Sequence, residues 1–141
     1  MYSKYNRSTI KAFDIEFYTG AQAPSEPCGI TIDDWGKIYI ADKRNNAVIK
    51  LAYIPSANSI YFSSKLNIPG LDRPTDIVYS SHTTPQNAED DYLLIANKQA
   101  RNIIKTTLIG TVLNTVTRFK TGGVYYDFIS PSRIIQVPGT T

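Results

Sequence analysis

Residues 27–51, PCGITIDDWGKIYIADKRNNAVIKL, contain three apolar runs separated by two polar turns. The first two runs alternate apolar and polar side chains, and Gly36 lies in the turn between them. Short runs of this kind, rich in Ile and Val and bounded by Gly, Asn and Asp, are typical of β-strands joined by tight connections. The stretch therefore predicts three consecutive antiparallel strands.

Similar runs continue to the end of the chain, and none of them carries the 3.6-residue apolar period of a helix. The chain has 141 residues, 42% of them hydrophobic and 19% charged, which is the composition of a globular domain and excludes wholesale disorder. Many short strands at even spacing predict an all-β fold, either a sandwich, a barrel or a propeller.

Internal repeats discriminate among these folds. Three segments align without a gap: IADKRNNAVIKLA from Ile40, IANKQARNIIKTT from Ile95 and MYSKYNRSTIKAF from Met1. In each segment a lysine begins a polar turn, and an Ile-Lys pair follows. A second signature, Pro-x-x-Ile, begins at Pro27, Pro74 and Pro131.

These signatures divide the single domain, residues 1–141, into three repeats. We place two of them at 27–73 and 74–130, and the third is split between 131–141 and 1–26. In the second repeat, SSHTTPQNAEDD lengthens the connection between the first two strands, and GTVLNTVTRFKTGGVYYDFIS lengthens the end of the unit. Insertions at loops cost little, because closure entropy grows only logarithmically with loop length.

The unit PCGITIDDWGKIYIADKRNNAVIKL resembles an NHL repeat in its Pro-x-Gly-Ile start, its Gly-containing turn, its strand ending in Ala-Asp and its Asn-containing turn. The resemblance is weaker in the other two repeats. It implies a β-propeller of four-stranded blades, usually six to a ring, of which this chain supplies about three.

Three blades cannot close a ring, because propellers have from about four to eight blades. We therefore expect a homo-oligomer, either a dimer of three-blade chains or a head-to-tail assembly; a segment of a longer propeller chain is the other interpretation. In the dimer, the C-terminal strand of one chain completes the blade begun by the N-terminus of the other. The residues expected at this closure are Ile134, Ile135, Val137 and Ile10.

In a four-stranded blade, the turn between the second and third strands emerges on the same face as the links between blades. Each such turn here, DKRNN, NKQARN and SKYNRS, contains two cations, which together form a basic face suited to a phosphate group, RNA, an acidic glycan or an acidic protein. Two tyrosines in the link TGGVYYDFISP could add an aromatic platform. The candidate ligand- or partner-binding residues are Lys4, Tyr5, Arg7, Lys43, Arg44, Asn45, Lys98, Arg101, Tyr125 and Tyr126.

Residues able to support catalysis are few. The single cysteine, Cys28, excludes an internal disulfide and a multi-cysteine zinc site, and the single histidine, His82, lies in a polar loop. The acidic pairs at 33–34 and 89–91 lack the spacing of a known calcium loop. We therefore expect no cofactor and no catalysis, but a binding or structural module. The alternative is a small propeller enzyme with a metal or anionic-substrate site at the ring centre, where the first strands offer Asp33, Asp76 and Arg133.

The sequence leaves the compartment unassigned. The N-terminal segment MYSKYNRSTIKAFDIEF lacks the apolar core of a signal peptide, and no apolar run approaches the length needed to span a bilayer. We expect a soluble chain without membrane insertion.

Overall fold

A computed structural model describes residues 24–81 and 90–135. Within these residues the chain forms strands and one short 3-10 turn, Pro55–Ala57, which confirms the all-β prediction. The strands are β1 (Pro27–Ile32), β2 (Lys37–Asp42), β3 (Ala47–Ile54), β4 (Ser59–Leu66), β5 (Pro74–Ser80), β6 (Tyr92–Asn97), β7 (Asn102–Thr106), β8 (Val112–Val116), β9 (Arg118–Thr121) and β10 (Val124–Asp127). No helix in the described ranges is long and apolar enough to cross a membrane.

Eight of the strands form two antiparallel sheets, each in sequential order: β1 to β4, which we call blade 1, and β5 to β8, which we call blade 2. The registers repeat, since Ile40 pairs with Ile49 in blade 1 and Ile95 pairs with Ile104 in blade 2. The predicted repeat is therefore a four-stranded sheet in both copies that the structure describes. The long connection in the second copy lies between β5 and β6, as predicted.

The two blades pack face to face around a common apolar core. Blade 1 contributes side chains from β2, β3 and β4, and blade 2 contributes side chains from β5, β6 and β7. The buried members of this core are Tyr39, Ala41, Val48, Leu66, Ile68, Leu71, Ile77, Tyr79, Leu93, Ile95, Ile104 and Leu108. Burial of this apolar surface is the main favourable contribution that holds the blades together.

The inner strands β1 and β5 approach each other through their backbones. A Cβ atom at Gly29 would lie 2.8 Å from Asp76 Cα, which leaves no room for any side chain. Two residues further along β1, Thr31 Oγ1 accepts a hydrogen bond from the Tyr79 N–H at 3.0 Å. The glycine of the Pro-x-Gly-Ile motif therefore sets the distance between the two blades.

A buried polar side chain ends the second strand of each blade and holds the link that enters that blade. In blade 2, the fully buried Asn97 accepts a hydrogen bond from the Asp72 N–H (2.6 Å) and donates to the Gly70 carbonyl (2.9 Å) and to Asn102 Oδ1 (2.9 Å). We call this side chain the clamp of blade 2. The Asn or Asp that follows Ala at the end of the second strand of each blade is thus needed to hold the entering link.

The clamp of blade 1 is Asp42, also fully buried. Its carboxylate accepts the N–H groups of Ser25 and Glu26, both at 2.9 Å, and the side-chain amide of Asn45 at 2.7 Å. Ser25 and Glu26 belong to the link that enters blade 1. The same position therefore performs the same task in both blades, with a carboxylate in one and an amide in the other.

The lysine of the repeated Ile-Lys pair lies on the face that each blade turns toward the next one. Lys50 Nζ is 5.2 Å from the centre of the Tyr39 ring, and Lys105 Nζ is 3.9 Å from the centre of the Tyr92 ring. These distances are those of cation–π contacts, which let a cation remain at a partly buried position. The contacts explain why the lysine recurs.

The end of the second repeat differs from a simple extension of blade 2. The fourth strand ends at Val116, and residues 118–127 form a separate two-stranded hairpin of β9 and β10 with Gly122 and Gly123 in its turn. Both glycines have a positive φ, of 56° and 83°, which glycine adopts at little cost.

The segment that follows the hairpin, residues 131–135, contacts the inner strand of blade 2. Thr75 Oγ1 donates to the Pro131 carbonyl at 3.1 Å, and the Ile134 N–H donates to Asp76 Oδ2 at 2.9 Å. Residues 131–135 therefore lie beside β5, where the repeat assignment places the first strand of a further blade. The other part of the predicted split repeat, including Ile10 and Val137, lies outside the described residues.

Replacing the clamp of blade 2 tests its role. We expect Asn97→Ala to lower the free energy of unfolding by about 1–3 kcal/mol, because it removes the fully buried partner of the Asp72 N–H and the Gly70 carbonyl. The measurement is equilibrium urea denaturation. Lys98→Ala, the exposed neighbour, is the control and should change the value by less than about 0.5 kcal/mol. Equal values for the two variants would contradict the clamp.

Candidate functional site

The β2–β3 and β6–β7 turns, which carry the cations considered for a basic face, lie beside the links that enter the two blades. Lys43 in the β2–β3 turn donates its main-chain N–H to the Glu26 carbonyl, and Lys98 in the β6–β7 turn donates to the Arg73 carbonyl. Turns and links therefore meet on the same face, as predicted. We call this face, residues 43–46, 67–73 and 98–101, the basic crown.

The blade 1 side of the crown contains a groove of about 390 Å³. Three cations line it, and its full lining is Glu26, Lys43, Arg44, Asn46, Asp72 and Arg73. Arg44 and Arg73 are exposed. Two guanidinium groups beside one groove suit a phosphate or carboxylate, which arginine binds in bidentate geometry.

Lys43 is less available than the sequence suggests. Its Nζ forms an ion pair with Glu26 Oε1 at 2.6 Å, and this hydrogen bond holds the pKa of Glu26 below its ordinary value. Asn45 is likewise engaged, since its side-chain amide donates to Asp42. The structure therefore places two of the predicted binding residues within the framework of the turn.

Asp42 lies beneath this part of the crown and organises it. Burial alone raises the pKa of Asp42, but hydrogen bonds from the main chain of Glu26 and Ser25 and from Asn45 outweigh it and hold the pKa below its ordinary value. The carboxylate is thus ionised at neutral pH and fixes both the turn and the link that carry the groove's side chains.

Blade 2 carries the second part of the site, a groove of about 660 Å³ between the β6–β7 turn and the β9–β10 hairpin. Arg101, Tyr125 and Tyr126 all line it. The structure thus brings together three residues that the sequence analysis proposed from two separate motifs. Lys98 is exposed but lines neither groove.

The hairpin adds positive charge beside these tyrosines. The Tyr125 ring lies 5.0 Å from Arg118 Cζ and 5.2 Å from Lys120 Nζ, while Tyr126 stacks on Phe119 with ring centres 5.6 Å apart. An exposed ring between two cations is a surface on which a planar or sugar ring with an anionic group can bind.

Sequence reasoning missed Arg73, Arg118 and Lys120. Arg73 lies in the link PGLDRP, whose basic residue was not counted with those of the turns. The alternation in RFKT and VYYD around TGG is the signal of a β-hairpin and could have revealed the other two. Lys4, Tyr5 and Arg7, proposed for the third turn, lie outside the described residues.

The carboxylates considered for a central site are engaged within the fold. Asp33 accepts the N–H groups of Trp35 and Lys37 and the Tyr39 hydroxyl at 2.8–3.0 Å, and Asp76 accepts those of Ile77 and Ile134, both at 2.9 Å. The pKa of Tyr39 is raised mainly by burial and further by the negative charge of Asp33, to which its hydroxyl donates a hydrogen bond.

Within residues 24–81 and 90–135, no group of three or more His, Cys, Asp or Glu side chains is placed to hold a metal ion. Asp91 accepts a hydrogen bond from the Tyr79 hydroxyl at 2.7 Å. Glu89 and His82 lie outside the described residues, and Arg133 is exposed.

A second surface is the face of blade 1 that points away from blade 2, which we call the rear face. It consists of Ile30, Ile32, Ile38, Ile40, Leu51, Tyr53 and Ile60, and these side chains line an apolar groove of about 390 Å³. Ile30 is 64% exposed and Ile32 57% exposed. The equivalent residues of blade 2, Ile77 and Tyr79, are only 1% and 9% exposed because blade 1 covers them.

Blade 2 has a second side, which points away from blade 1 and which no sheet of residues 24–81 and 90–135 covers; we call it the forward face. By register it carries Val78, Tyr92, Leu94, Ile103 and Lys105, the counterparts of the blade 1 residues that pack toward blade 2. Residues 131–135 lie along the inner edge of this face. Ile135, predicted at the closure, is highly exposed, and Ile134 is half-buried.

Comparison with known proteins supports the fold. No protein-family model matches the chain, and no curated protein matches it either. Among solved structures, a β-propeller protein described as a luciferin-regenerating enzyme matches with a TM-score of 0.51 and 23% identity, over 67% of this chain and 31% of that chain. This likeness shows a propeller-type fold alone, and the matched part of our chain spans less than a third of that protein.

The depressed pKa of Asp42 predicts a pH effect. Such a group stabilises the fold above its unfolded-state pKa of about 3.9 and loses this contribution as the pH falls through its lower folded-state value. We expect the wild type to lose more stability than Asp42→Asn between about pH 7 and pH 2.5. Urea denaturation at both pH values measures the difference. Asp127→Asn, in the exposed hairpin, is the control and should follow the wild type; parallel losses in all three proteins would contradict the prediction.

Proposed function

We propose that this chain is a non-catalytic, NHL-type propeller segment that self-associates through its uncovered blade faces and presents the basic crown to an anionic partner. One observation carries the proposal: the rear face of blade 1 has the side chains of a blade-to-blade core but no blade on it in the described structure.

The comparison between equivalent positions supports self-association. Ile30 and Ile77 occupy the same position in the two repeats, but Ile77 is buried whereas Ile30 is largely exposed. Exposed contiguous aliphatic surface of this kind marks interaction sites in soluble proteins. The covering that fits it is a forward blade face, and a second copy of the chain supplies one.

The partner that we propose for the crown is anionic because its surface cations outnumber its carboxylates. Arg44, Arg73, Lys98 and Arg101 are exposed, whereas the one carboxylate within the crown, Asp72, is half-buried, and the neighbouring Glu26 is paired with Lys43. The cations are carried by two successive blades, so that an extended acidic polymer can contact several of them at once. Tyr125 adds an aromatic surface at one end of this row.

The non-catalytic part of the proposal rests on the engagement of the candidate acids. Asp33 and Asp76 both accept main-chain hydrogen bonds, which leaves them occupied as structural acceptors. A general base must instead reach a substrate proton directly or through one water molecule.

Solution mass tests self-association. We expect the wild type to sediment as two or more copies of the 15.7 kDa chain, and Ile30→Lys to shift the protein toward the single-chain mass. The physical reason is that burying an unpaired charge in an interface costs several kcal/mol. Val124→Lys, at an exposed apolar residue of the separate β9–β10 hairpin, is the control and should leave the mass unchanged. A wild-type protein that stays monomeric over the whole concentration range would contradict the proposal.

Heparin chromatography tests the crown. Arg44→Gln combined with Arg101→Gln should elute at a lower salt concentration than the wild type, because each lost contact reduces the number of counterions released on binding. Lys65→Gln combined with Arg133→Gln removes the same charge at exposed residues outside the crown and is the matched control. If both double variants elute together, net charge rather than the crown determines binding. Single-stranded RNA in the same assay shows whether the crown distinguishes polymers.

A further inference from the structure

A groove of about 470 Å³ lies between blades 1 and 2, between the β1–β2 turn and the β7–β8 turn. The β1–β2 turn lies at the opposite end of blade 1 from the turn that carries the crown, because successive turns of an antiparallel sheet alternate between its ends. The groove is thus separate from the basic crown. Its volume is within the range of small-molecule binding sites.

Two ammonium groups line the groove, those of Lys37 and Lys50. Among the residues that the structure describes, neither has a carboxylate oxygen within the 4.0 Å of an ion pair. Lys50 is half-buried against the Tyr39 ring, and burial lowers its pKa. A desolvated cation without a paired anion is a strong point of attraction for an incoming anion.

The carboxylate in the groove does not neutralise these lysines by direct pairing. Asp33 is buried, and its oxygens are directed to the Trp35 N–H, the Lys37 N–H and the Tyr39 hydroxyl. These three hydrogen bonds hold the carboxylate against the turn and Tyr39, so that it acts on Lys50 through longer-range electrostatics and not through an ion pair. The lysine side chains remain available to a ligand.

Apart from Thr107, the remaining lining is apolar. Leu108 is buried at the base, and Trp35 and Ile109 are exposed, Ile109 to 76%. An indole ring and two aliphatic side chains form a surface for a hydrocarbon chain. Such surface gains about 25 cal/mol for each Å² that a ligand covers.

We propose that this groove binds a small amphiphilic carboxylate, with the carboxylate between Lys37 and Lys50 and the apolar body along Trp35, Leu108 and Ile109. The site lies within one chain and requires no second copy. It is therefore independent of the self-association and of the crown partner proposed above.

Trp35 makes the site directly observable, because it is the only tryptophan in the chain. Titration with octanoate below its micelle concentration should produce a saturable change in tryptophan emission. Lys37→Gln and Lys50→Gln should each weaken the apparent Kd about tenfold, since a hydrogen bond to a charged group contributes about 1.5–3 kcal/mol. Lys50→Arg, which keeps the charge, should retain binding, and Lys65→Gln, outside the groove, should match the wild type.

Two further measurements make the result decisive. The neutral probe 1-octanol should produce a much weaker change than octanoate at the same concentration, because it cannot pair with the lysines. Ile109→Asp, at an exposed turn position, should abolish the octanoate response while the thermal midpoint stays close to that of the wild type. This variant tests the site even if Lys50→Gln does not fold.

Three outcomes would overturn the proposal: no saturable emission change with octanoate, an equal response to octanol, or unchanged octanoate affinity in both lysine-to-glutamine variants. Sedimentation with and without octanoate shows whether association changes. A monomer that binds octanoate would retain this proposal and reject self-association, whereas an oligomer that does not bind it would do the reverse.

Discussion

The arrangement of the two blades depends on one buried polar side chain at the end of each second strand. Asp42 and Asn97 hold the main chain that enters their own blade, so that the start of the first strand is fixed relative to the second. Moving the entering link away from the turn would break these hydrogen bonds and leave a buried polar group without a partner, which costs free energy. The same bonds bring the link beside the β2–β3 or β6–β7 turn and so create the basic crown. The basic surface is thus a consequence of how the link into each blade is held.

The distance between the two blades is small at their inner strands and larger near the β1–β2 and β7–β8 turns. At the inner strands, Gly29 lets β1 contact β5 through backbone atoms. Near the β1–β2 and β7–β8 turns the blades leave a groove, lined by the two lysines that follow the apolar core on the same face of blade 1. The repeat therefore combines a tight inner joint with a ligand-sized opening, and the lysines can occupy that opening because Tyr39 and Tyr61 lie beneath or beside their ammonium groups.

Much of this fold could be predicted because its signals are local and repeated. Strand alternation and the gap-free alignment of IADKRNN with IANKQAR located β2, β3, β6 and β7, and the topology of a four-stranded blade placed their turns beside the links.

The pairing of individual side chains could not be predicted in this way. The pairing of Lys43 with Glu26 and of Asn45 with Asp42 depends on where the incoming link lies, which is a tertiary property. The β9–β10 hairpin was hidden because its residues appeared to be a long end to the second repeat. The groove between the β1–β2 and β7–β8 turns is formed by residues about 70 positions apart in sequence, and local sequence patterns do not predict such long-range contacts.

The rear face of blade 1 and the forward face of blade 2 have different chemistry, which constrains the self-association that we propose. Apart from Tyr53 the rear face is aliphatic, whereas the forward face carries Lys105 stacked on Tyr92. A contact between them is heterologous, because the surface given by one copy differs from the surface received from the other. A closed two-copy ring would contain two such contacts, and the second would form within an already joined pair at a high effective concentration. Closure would then be strongly cooperative, and weakening either face would affect both joints at once.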